Sequence, residues 1–242
     1  MLSKNQIKFI KSLSLKKNRW QHQLFTVEGA KGIMEFLKSD FECHGIYTTN
    51  DQLFNEFETS LISESDLKRI SQLKTPNQAL ALFKIPAYHK IVESNIMVAL
   101  DDIKDPGNLG TIIRLCDWFG ITDILCSKET VDCYNSKVVQ ASMGSLSRVK
   151  LHYLNLLSYL THYDGEVYGT FLHGHSIYST NFKEKSILLM GNEANGISAD
   201  LINVIGKKVT VPQYGKMSST ESLNVATATA ICLGEIRRSS AT

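Results

Sequence analysis

Apolar and polar positions alternate in two different ways along the chain, and the change falls near residue 90. The first part mixes short apolar runs with helically spaced ones, which predicts strands and helices in turn. Its predicted strands are 25–27 and 45–49, and its predicted helices are 30–38 and 65–73; an apolar run at 80–83 follows them. In the second part, helical segments separate strand-like runs at 96–100, 121–126, 148–154, 166–172, 186–190 and 207–212. This regular alternation predicts a parallel sheet with helices on both faces.

Two domains follow from this change of pattern. We expect a small α/β domain over residues 1–90 and a parallel, doubly wound α/β domain over 91–242, joined at the polar stretch 86–94. A length of 242 residues fits one medium domain plus one small one. Apolar runs stop at five residues, as at Ile96–Leu100, whereas a membrane span needs roughly 20. We therefore expect no membrane segment, and the lysine-rich start also indicates no secretory signal.

Composition and cysteine spacing narrow the class of protein. The chain is 43% apolar and 21% charged, which is ordinary for a folded protein and excludes wholesale disorder. Its five cysteines include no C-x-x-C pair, which favours reduced thiols in the cytoplasm over a disulfide framework. His173 and His175 have no third ligand at metal-binding spacing, so we expect no metal.

Basic residues are concentrated at the start of the chain. Residues 1–90 carry a net charge of +4 and residues 91–242 a net charge of −2, and six basic residues precede the first acidic one, Glu28. Such a patch attracts a polyanion such as RNA, although a lysine-rich segment can also serve solubility alone. Trp20, Phe25 and Tyr88 are aromatic candidates for stacking on RNA bases, with a place in the core as the alternative.

The first segment that can carry chemistry runs from Asp101 to Gly110, between a predicted strand and a predicted helix. Asn108 is a plausible N-cap, and the apolar spacing after it predicts a helix that ends at Gly120. Arg114 lies off the apolar stripe, where it can bind a phosphate or a hydroxyl. The alternative is a simple ion pair with Asp117, three residues on.

Two further segments follow predicted strands. Gly191 to Gly196 contains two glycines that let a ligand approach the backbone, and Glu193 would sit in the crevice at the strand end. A plain turn explains this spacing equally well. Between Val209 and Arg238, a strand meets Pro212 and a polar loop, and a small-residue helix then begins at Val225. Ser222 or Asn224 can cap this helix or bind a ligand.

These three segments, in this order and spacing, resemble the SpoU/TrmH family of the SPOUT class of RNA methyltransferases. The matching motifs run from Asp105 to Arg114, from Gly191 to Gly196, and from Pro212 to the group at 222–225. The segments 25–31 and 75–78, together with Arg19, are similar to the substrate-binding domain of many members, so the resemblance covers nearly the whole chain. It implies a small RNA-binding domain followed by a methyltransferase domain with a C-terminal trefoil knot. The knot is implied by the resemblance alone, because ordinary connections do not thread loops.

The resemblance also implies an activity and a set of site residues. Members transfer the methyl group of S-adenosylmethionine to a ribose 2′-hydroxyl in RNA, here ribosomal or transfer RNA, and they act as homodimers. The implied catalytic residues are Arg114, Glu193, Asn108, Ser222 and Asn224. The implied cofactor-binding residues are Thr170, Gly191, Asn192, Gly196, Val211 and Leu223. The implied RNA-binding residues are Lys16, Lys17, Arg19 and Lys31, and no metal is implied.

A guanidinium stays protonated, so Arg114 is better suited to binding a phosphate and stabilising a developing alkoxide than to acting as a base.

The loop from Gln213 to Glu221 is longer than in many relatives, and neither it nor the motifs identify the RNA or the nucleotide. Two alternatives remain: an RNA-binding protein of the same fold that has lost methyl transfer, and a small-molecule enzyme that uses the same pocket. Retention of Arg114, Glu193 and Asn224 argues against the first, and the basic N-terminal domain argues against the second.

Overall fold

A computed structural model describes residues 1–87, 90–215 and 222–240 of the chain. Tyr88 and the loop residues 216–221 lie outside these ranges, so their predicted roles stay predictions. The helices are α1 (Lys4–Ser12), α2 (Lys16–His22), α3 (Ala30–Leu37), α4 (Glu64–Ile70), α5 (Pro106–Trp118), α6 (Ser136–Ser142), α7 (Leu156–Thr161) and α8 (Val225–Ser240). The strands are β1 (Leu24–Glu28), β2 (Cys43–Thr48), β3 (Ser60–Leu61), β4 (Ala79–Lys84), β5 (Ile96–Leu100), β6 (Asp123–Ser127), β7 (Lys150–Leu154), β8 (Glu166–Ser176), β9 (Ser186–Met190) and β10 (Lys207–Thr210).

The chain divides into two compact units. The first consists of Met1–His89 and Asp132–Arg148, and the second of Lys90–Val131 and Val149–Thr242. The sequence-based boundary assigns 132–148 to the second domain, whereas the structure groups this segment with the N-terminal residues. One reason is a buried ion pair between Arg19 and Asp132, residues that lie far apart in the sequence.

A four-stranded sheet with strand order β1-β4-β2-β3 forms the centre of the first unit. β4 pairs antiparallel with both β1 and β2. Phe25, Phe36 and Phe83 are completely buried and contact one another through their rings. Phe25 is therefore a core residue, which agrees with the core alternative for its side chain, and it is not available to stack on RNA bases. The spacing also missed α1 and α2, which are rich in lysine and have few apolar positions.

The second unit contains a six-stranded sheet with strand order β10-β8-β9-β5-β6-β7. Every pairing in this order is parallel, so the predicted parallel sheet is confirmed. β5, β6 and β9 are buried along their whole length, as expected for strands covered on both faces. The carboxyl ends of β8, β9 and β5 are neighbours in this order, and they bring the loops that follow them to one edge of the sheet.

The start of α5 differs from the predicted one. The helix begins at Pro106, and the side chain of Asp105 accepts a hydrogen bond from the backbone N–H of Asn108 at 2.8 Å. The N-cap is therefore Asp105, and the prediction of Asn108 as the cap is wrong. Proline suits the first turn of a helix, where its missing N–H costs nothing, so the cap falls just before it. This arrangement leaves the Asn108 side chain available for other contacts.

Within the described ranges, no helix is both long enough and apolar enough to cross a membrane.

Candidate active site

The loops that follow β5 and β9 are joined by hydrogen bonds at the carboxyl edge of the sheet. The backbone N–H of Asp101 donates to the carbonyl of Met190 at 2.9 Å, and the buried Asp101 carboxylate accepts from the N–H of Ser198 at 2.7 Å. The Asn192 amide donates to the Asp102 carbonyl at 2.7 Å. These bonds hold the first two motif loops against each other.

The loop from Gly191 to Gly196 depends on both of its glycines. Gly196 has φ of +71°, in the region that favours glycine. A Cβ on Gly191 would overlap backbone atoms of Gly196 and Ile197. The Asn192 side chain also accepts from the N–H groups of Ala194 and Asn195, at 2.8 and 3.0 Å. The Asn192 side chain therefore shapes the loop, and its predicted contact with a cofactor remains untested.

A chain of side-chain hydrogen bonds connects the three motifs. Asn224 Nδ2 donates to Asn108 Oδ1 at 2.8 Å, and Asn108 Nδ2 donates to Glu193 Oε1 at 2.8 Å. Asn224 Oδ1 accepts from the N–H groups of Ala226 and Thr227, which makes Asn224 the cap of α8. These helix contacts fix which end of the Asn224 amide faces Asn108. Both amides are thereby oriented, and the last N–H points at the Glu193 carboxylate.

A cleft of about 880 Å³ opens beside these loops. Six predicted cofactor-binding residues line it, as do Glu193 and Ser222. The six are Thr170, Gly191, Asn192, Gly196, Val211 and Leu223. Met190 and Ile197 add apolar wall, and main chain is accessible at the two glycines. A flat, neutral ring fits such a wall, because backbone groups can hydrogen bond to its edge while apolar side chains cover its faces.

Arg114 lies on α5 with its side chain exposed, and the described residues that line the cleft do not include it. Across residues 1–87, 90–215 and 222–240, no ion pair involves Arg114, so the alternative pairing with Asp117 is not formed. The structure thus brings Asn108, Glu193 and Asn224 together and leaves Arg114 facing solvent. Its predicted role in binding RNA phosphate remains a prediction.

The predicted RNA-binding residues lie in the first unit and differ in exposure. Lys16, Lys17 and Lys31 are exposed. Arg19 is only 2% exposed, and it forms a 2.6 Å ion pair with Asp132. The prediction that Arg19 contacts RNA is therefore wrong, because its guanidinium is buried within the unit.

Sequence reasoning missed several residues of the site. Asp101 and Asp102 hold the two loops together, and the available signal was their position directly after a buried strand. Cys232 lines the cleft from α8 and is buried. Burial raises the pKa of its thiol to about 12, so this thiol is not an activated nucleophile at neutral pH. In the part of the chain that the structure describes, no group of three or more His, Cys, Asp or Glu is arranged to hold a metal.

Comparison with known families defines the class of protein. Residues 95–234 match the family model of the SpoU rRNA Methylase family, and residues 4–81 match the MRM3-like substrate binding domain. The first match covers more than half of the chain and includes all three motif loops. The chain therefore belongs to the SpoU rRNA methylase family.

Particular relatives agree over nearly the full length. The chain is 32% identical to the 23S rRNA (guanosine(2553)-2′-O)-methyltransferase RlmP of Bacillus subtilis, over 97% of both chains. Among solved structures, a Porphyromonas gingivalis protein assigned to the TrmH family of RNA methyltransferases is 40% identical, with a TM-score of 0.88 and coverage of 98% and 99%. The AdoMet-bound rRNA methyltransferase of Sinorhizobium meliloti is 28% identical, with a TM-score of 0.86 and coverage of 98% and 96%.

Proposed function

We propose that this protein methylates a ribose 2′-hydroxyl in ribosomal RNA and uses S-adenosylmethionine as the methyl donor. The observation that carries the proposal is the hydrogen-bond chain from Asn224 through Asn108 to Glu193, beside a cleft built from the same motif loops. Family membership and the similarity to a 23S rRNA 2′-O-methyltransferase support the same activity.

The cleft suits the adenosine end of the donor. Gly191 leaves no room for a side chain, and Val211 and Leu223 supply apolar surface beside exposed main chain. A volume of about 880 Å³ lies within the usual range for a ligand pocket, roughly 300–1,000 Å³. When bound, S-adenosylmethionine supplies a methyl group made electrophilic by its sulfonium centre. The residues of this chain must then hold the RNA hydroxyl in line and remove its proton.

In this proposal, Glu193 accepts that proton. Asn108 donates to Oε1 of its carboxylate, which fixes the side chain and leaves Oε2 to accept the hydroxyl proton. Arg114 binds the neighbouring RNA phosphate and stabilises negative charge on the attacking oxygen. Fixing two reactants in line can contribute about 7–11 kcal/mol to lowering a barrier, so orientation is a main task of this network.

Labelled methyl transfer to total RNA tests the proposal. Partial alkaline hydrolysis cleaves only where the 2′-hydroxyl is free, so one resistant linkage names both the chemistry and the nucleotide. We expect Arg114→Ala to lower turnover at saturating RNA while S-adenosylmethionine still binds by calorimetry. Arg69→Ala, which removes an exposed arginine of the first unit, should leave turnover unchanged. Donor and RNA binding without methyl transfer would identify a catalytically silent RNA-binding protein instead.

We also propose that the protein is a homodimer whose contact involves α8 and the C-terminal knot that the family resemblance implies. Trp118 at the end of α5 is 84% exposed, which is more than a large aromatic side chain usually shows in an isolated chain. The small residues along α8 suit close helix contact. Light scattering at micromolar concentration should give the mass of two chains, and a monomer would contradict the dimer.

We propose that the protein is cytoplasmic, because bacteria such as the source of the RlmP relative make and assemble ribosomal RNA in the cytoplasm. All five cysteines are free thiols, which suits a reducing compartment. Cell fractionation with immunodetection tests this location.

A further inference from the structure

The first unit presents a large aromatic side chain on the surface of α2. Trp20 is 43% exposed, and its ring meets the ring of Tyr134 edge-on, with centroids 6.4 Å apart and planes at 70°. The contact holds the indole against the first unit, while 43% of the residue stays open to solvent. An exposed tryptophan in a fixed setting is a common feature of binding surfaces.

Buried hydrogen bonds of the neighbouring Arg19 hold the helix that carries this tryptophan in place. The guanidinium of Arg19 donates to Asp132 Oδ2 at 2.6 and 3.1 Å and to two main-chain carbonyls that follow α1, at 2.9 and 2.8 Å. Asp132 Oδ1 accepts from the N–H of Tyr134 at 3.2 Å. α2 and the segment that carries Tyr134 are therefore fixed to each other. A fixed aromatic surface loses little conformational entropy when a ligand binds.

The charge around Trp20 favours a polyanion. Lys16 and Lys17 precede it by four and three residues on α2, which places them beside it on the helix surface. Both are exposed, and within the described ranges neither forms an ion pair. α1 adds three more exposed lysines, and the first 27 residues contain no acidic residue.

We infer that Trp20, Lys16 and Lys17 form a binding platform for an unpaired RNA nucleotide, with the base stacked on the indole and the flanking phosphates on the two ammonium groups. The inference rests on the proposed function, because it assigns part of the RNA contact to this face. Stacking requires an accessible base face, which single-stranded or looped RNA offers and a continuous duplex does not. The platform therefore selects an unpaired segment.

Tryptophan fluorescence measures this contact directly. The chain has two tryptophans, so Trp118→Phe in the full-length protein leaves Trp20 as the single emitter. A short oligouridylate should quench its emission, and a duplex of equal length should not. In the otherwise unchanged protein, Trp20→Ala should weaken oligouridylate binding by about 5- to 150-fold. Trp20→Phe should retain most of the affinity.

The lysines and the aromatic ring predict different salt behaviour. Lys16→Ala and Lys17→Ala should each reduce the slope of log K against log salt by about 0.7. Trp20→Ala should leave that slope unchanged, because it removes no charge. Tyr178→Ala, which removes a half-exposed aromatic side chain from the second unit, should bind as the parent does.

Unchanged oligouridylate affinity in Trp20→Ala, or equal quenching by duplex and single strand, would overturn the platform. Methyl transfer by the unmodified protein is measured in parallel. If the unmodified protein methylates RNA and Trp20→Ala binds normally, the platform alone fails. If the unmodified protein neither binds the donor nor methylates RNA, the proposed function fails.

Discussion

Replacing Asn108 by aspartate tests the hydrogen-bond chain with almost no change of shape. The native amide donates to Glu193 Oε1 at 2.8 Å and accepts from Asn224 Nδ2 at 2.8 Å. An aspartate can still accept from Asn224, but it presents a second carboxylate to Glu193. The donor that orients the proposed proton acceptor is replaced by a repelling charge.

The expected effect follows from the short distance between the two groups. Two unit charges about 4 Å apart interact by about 1 kcal/mol in bulk water and about 4 kcal/mol at the effective dielectric constant of a protein surface. Glu193 is exposed and Asn108 is half-buried, so the cost lies between these values. If this electrostatic cost adds fully to the activation barrier of methyl transfer, kcat decreases by roughly 5- to 1,000-fold.

The assay is single-turnover methyl transfer at saturating RNA and S-adenosylmethionine, together with a urea unfolding curve. We expect kcat to fall while the free energy of unfolding changes by less than about 1 kcal/mol, because the hydrogen-bonded side chains lie at the surface. Asn203→Asp adds the same charge at an exposed asparagine of the second unit that does not line the cleft, and it should retain far more activity.

A double-mutant cycle decides whether Asn108 acts through Glu193. In Asn108→Asp/Glu193→Gln the donor and acceptor are exchanged, so the repulsion disappears. If the two residues act as one unit, the double variant should be no worse than Glu193→Gln alone. Independent effects that multiply, or a normal kcat in Asn108→Asp, would refute this reasoning.

Three further predictions address the cleft and the core. Gly191→Ala should abolish donor binding in calorimetry, because its Cβ overlaps backbone across the loop, whereas Gly32→Ala in α3 meets only ordinary contacts and should bind normally. Arg19→Met should lower the free energy of unfolding by about 3–5 kcal/mol, because it leaves a buried carboxylate unpaired; Lys84→Ala, which breaks an exposed pair, should cost at most about 1 kcal/mol in the same urea assay. Burial raises the pKa of Cys232 to about 12 from its ordinary value of 9.0. The stability that this thiol contributes is therefore complete below about pH 9 and is lost as the pH rises towards 12, by about 1.4 kcal/mol per pH unit. Between about pH 8 and about pH 10 in urea unfolding, the free energy of unfolding should fall less in Cys232→Ala than in the unmodified protein, and an equal fall would contradict the assignment.

The sequence determined the order of elements in the second unit and the segments that form its site. All six predicted strands are present. The signal is strongest for β5, β6 and β9, because burial on both faces gives these strands apolar runs that can be recognised locally. Parallel strands place their carboxyl ends at one edge, so loops such as the one with Glu193 were expected there. The resemblance of the three motifs to the SpoU/TrmH family likewise implied that Asn108, Glu193 and Asn224 act together.

Only the tertiary structure decided the remaining contacts. Arg19 and Asp132 are 113 positions apart, and no periodicity predicts that a basic residue in a lysine-rich segment is buried against such a distant partner. That pair helps to place 132–148 in the first unit and leaves Trp20, the next residue after Arg19, as the exposed one. The direction of each hydrogen bond from Asn224 to Glu193 likewise depends on how α5 and α8 pack. Local patterns record which side of an element is buried, and they carry no information about which distant group it meets.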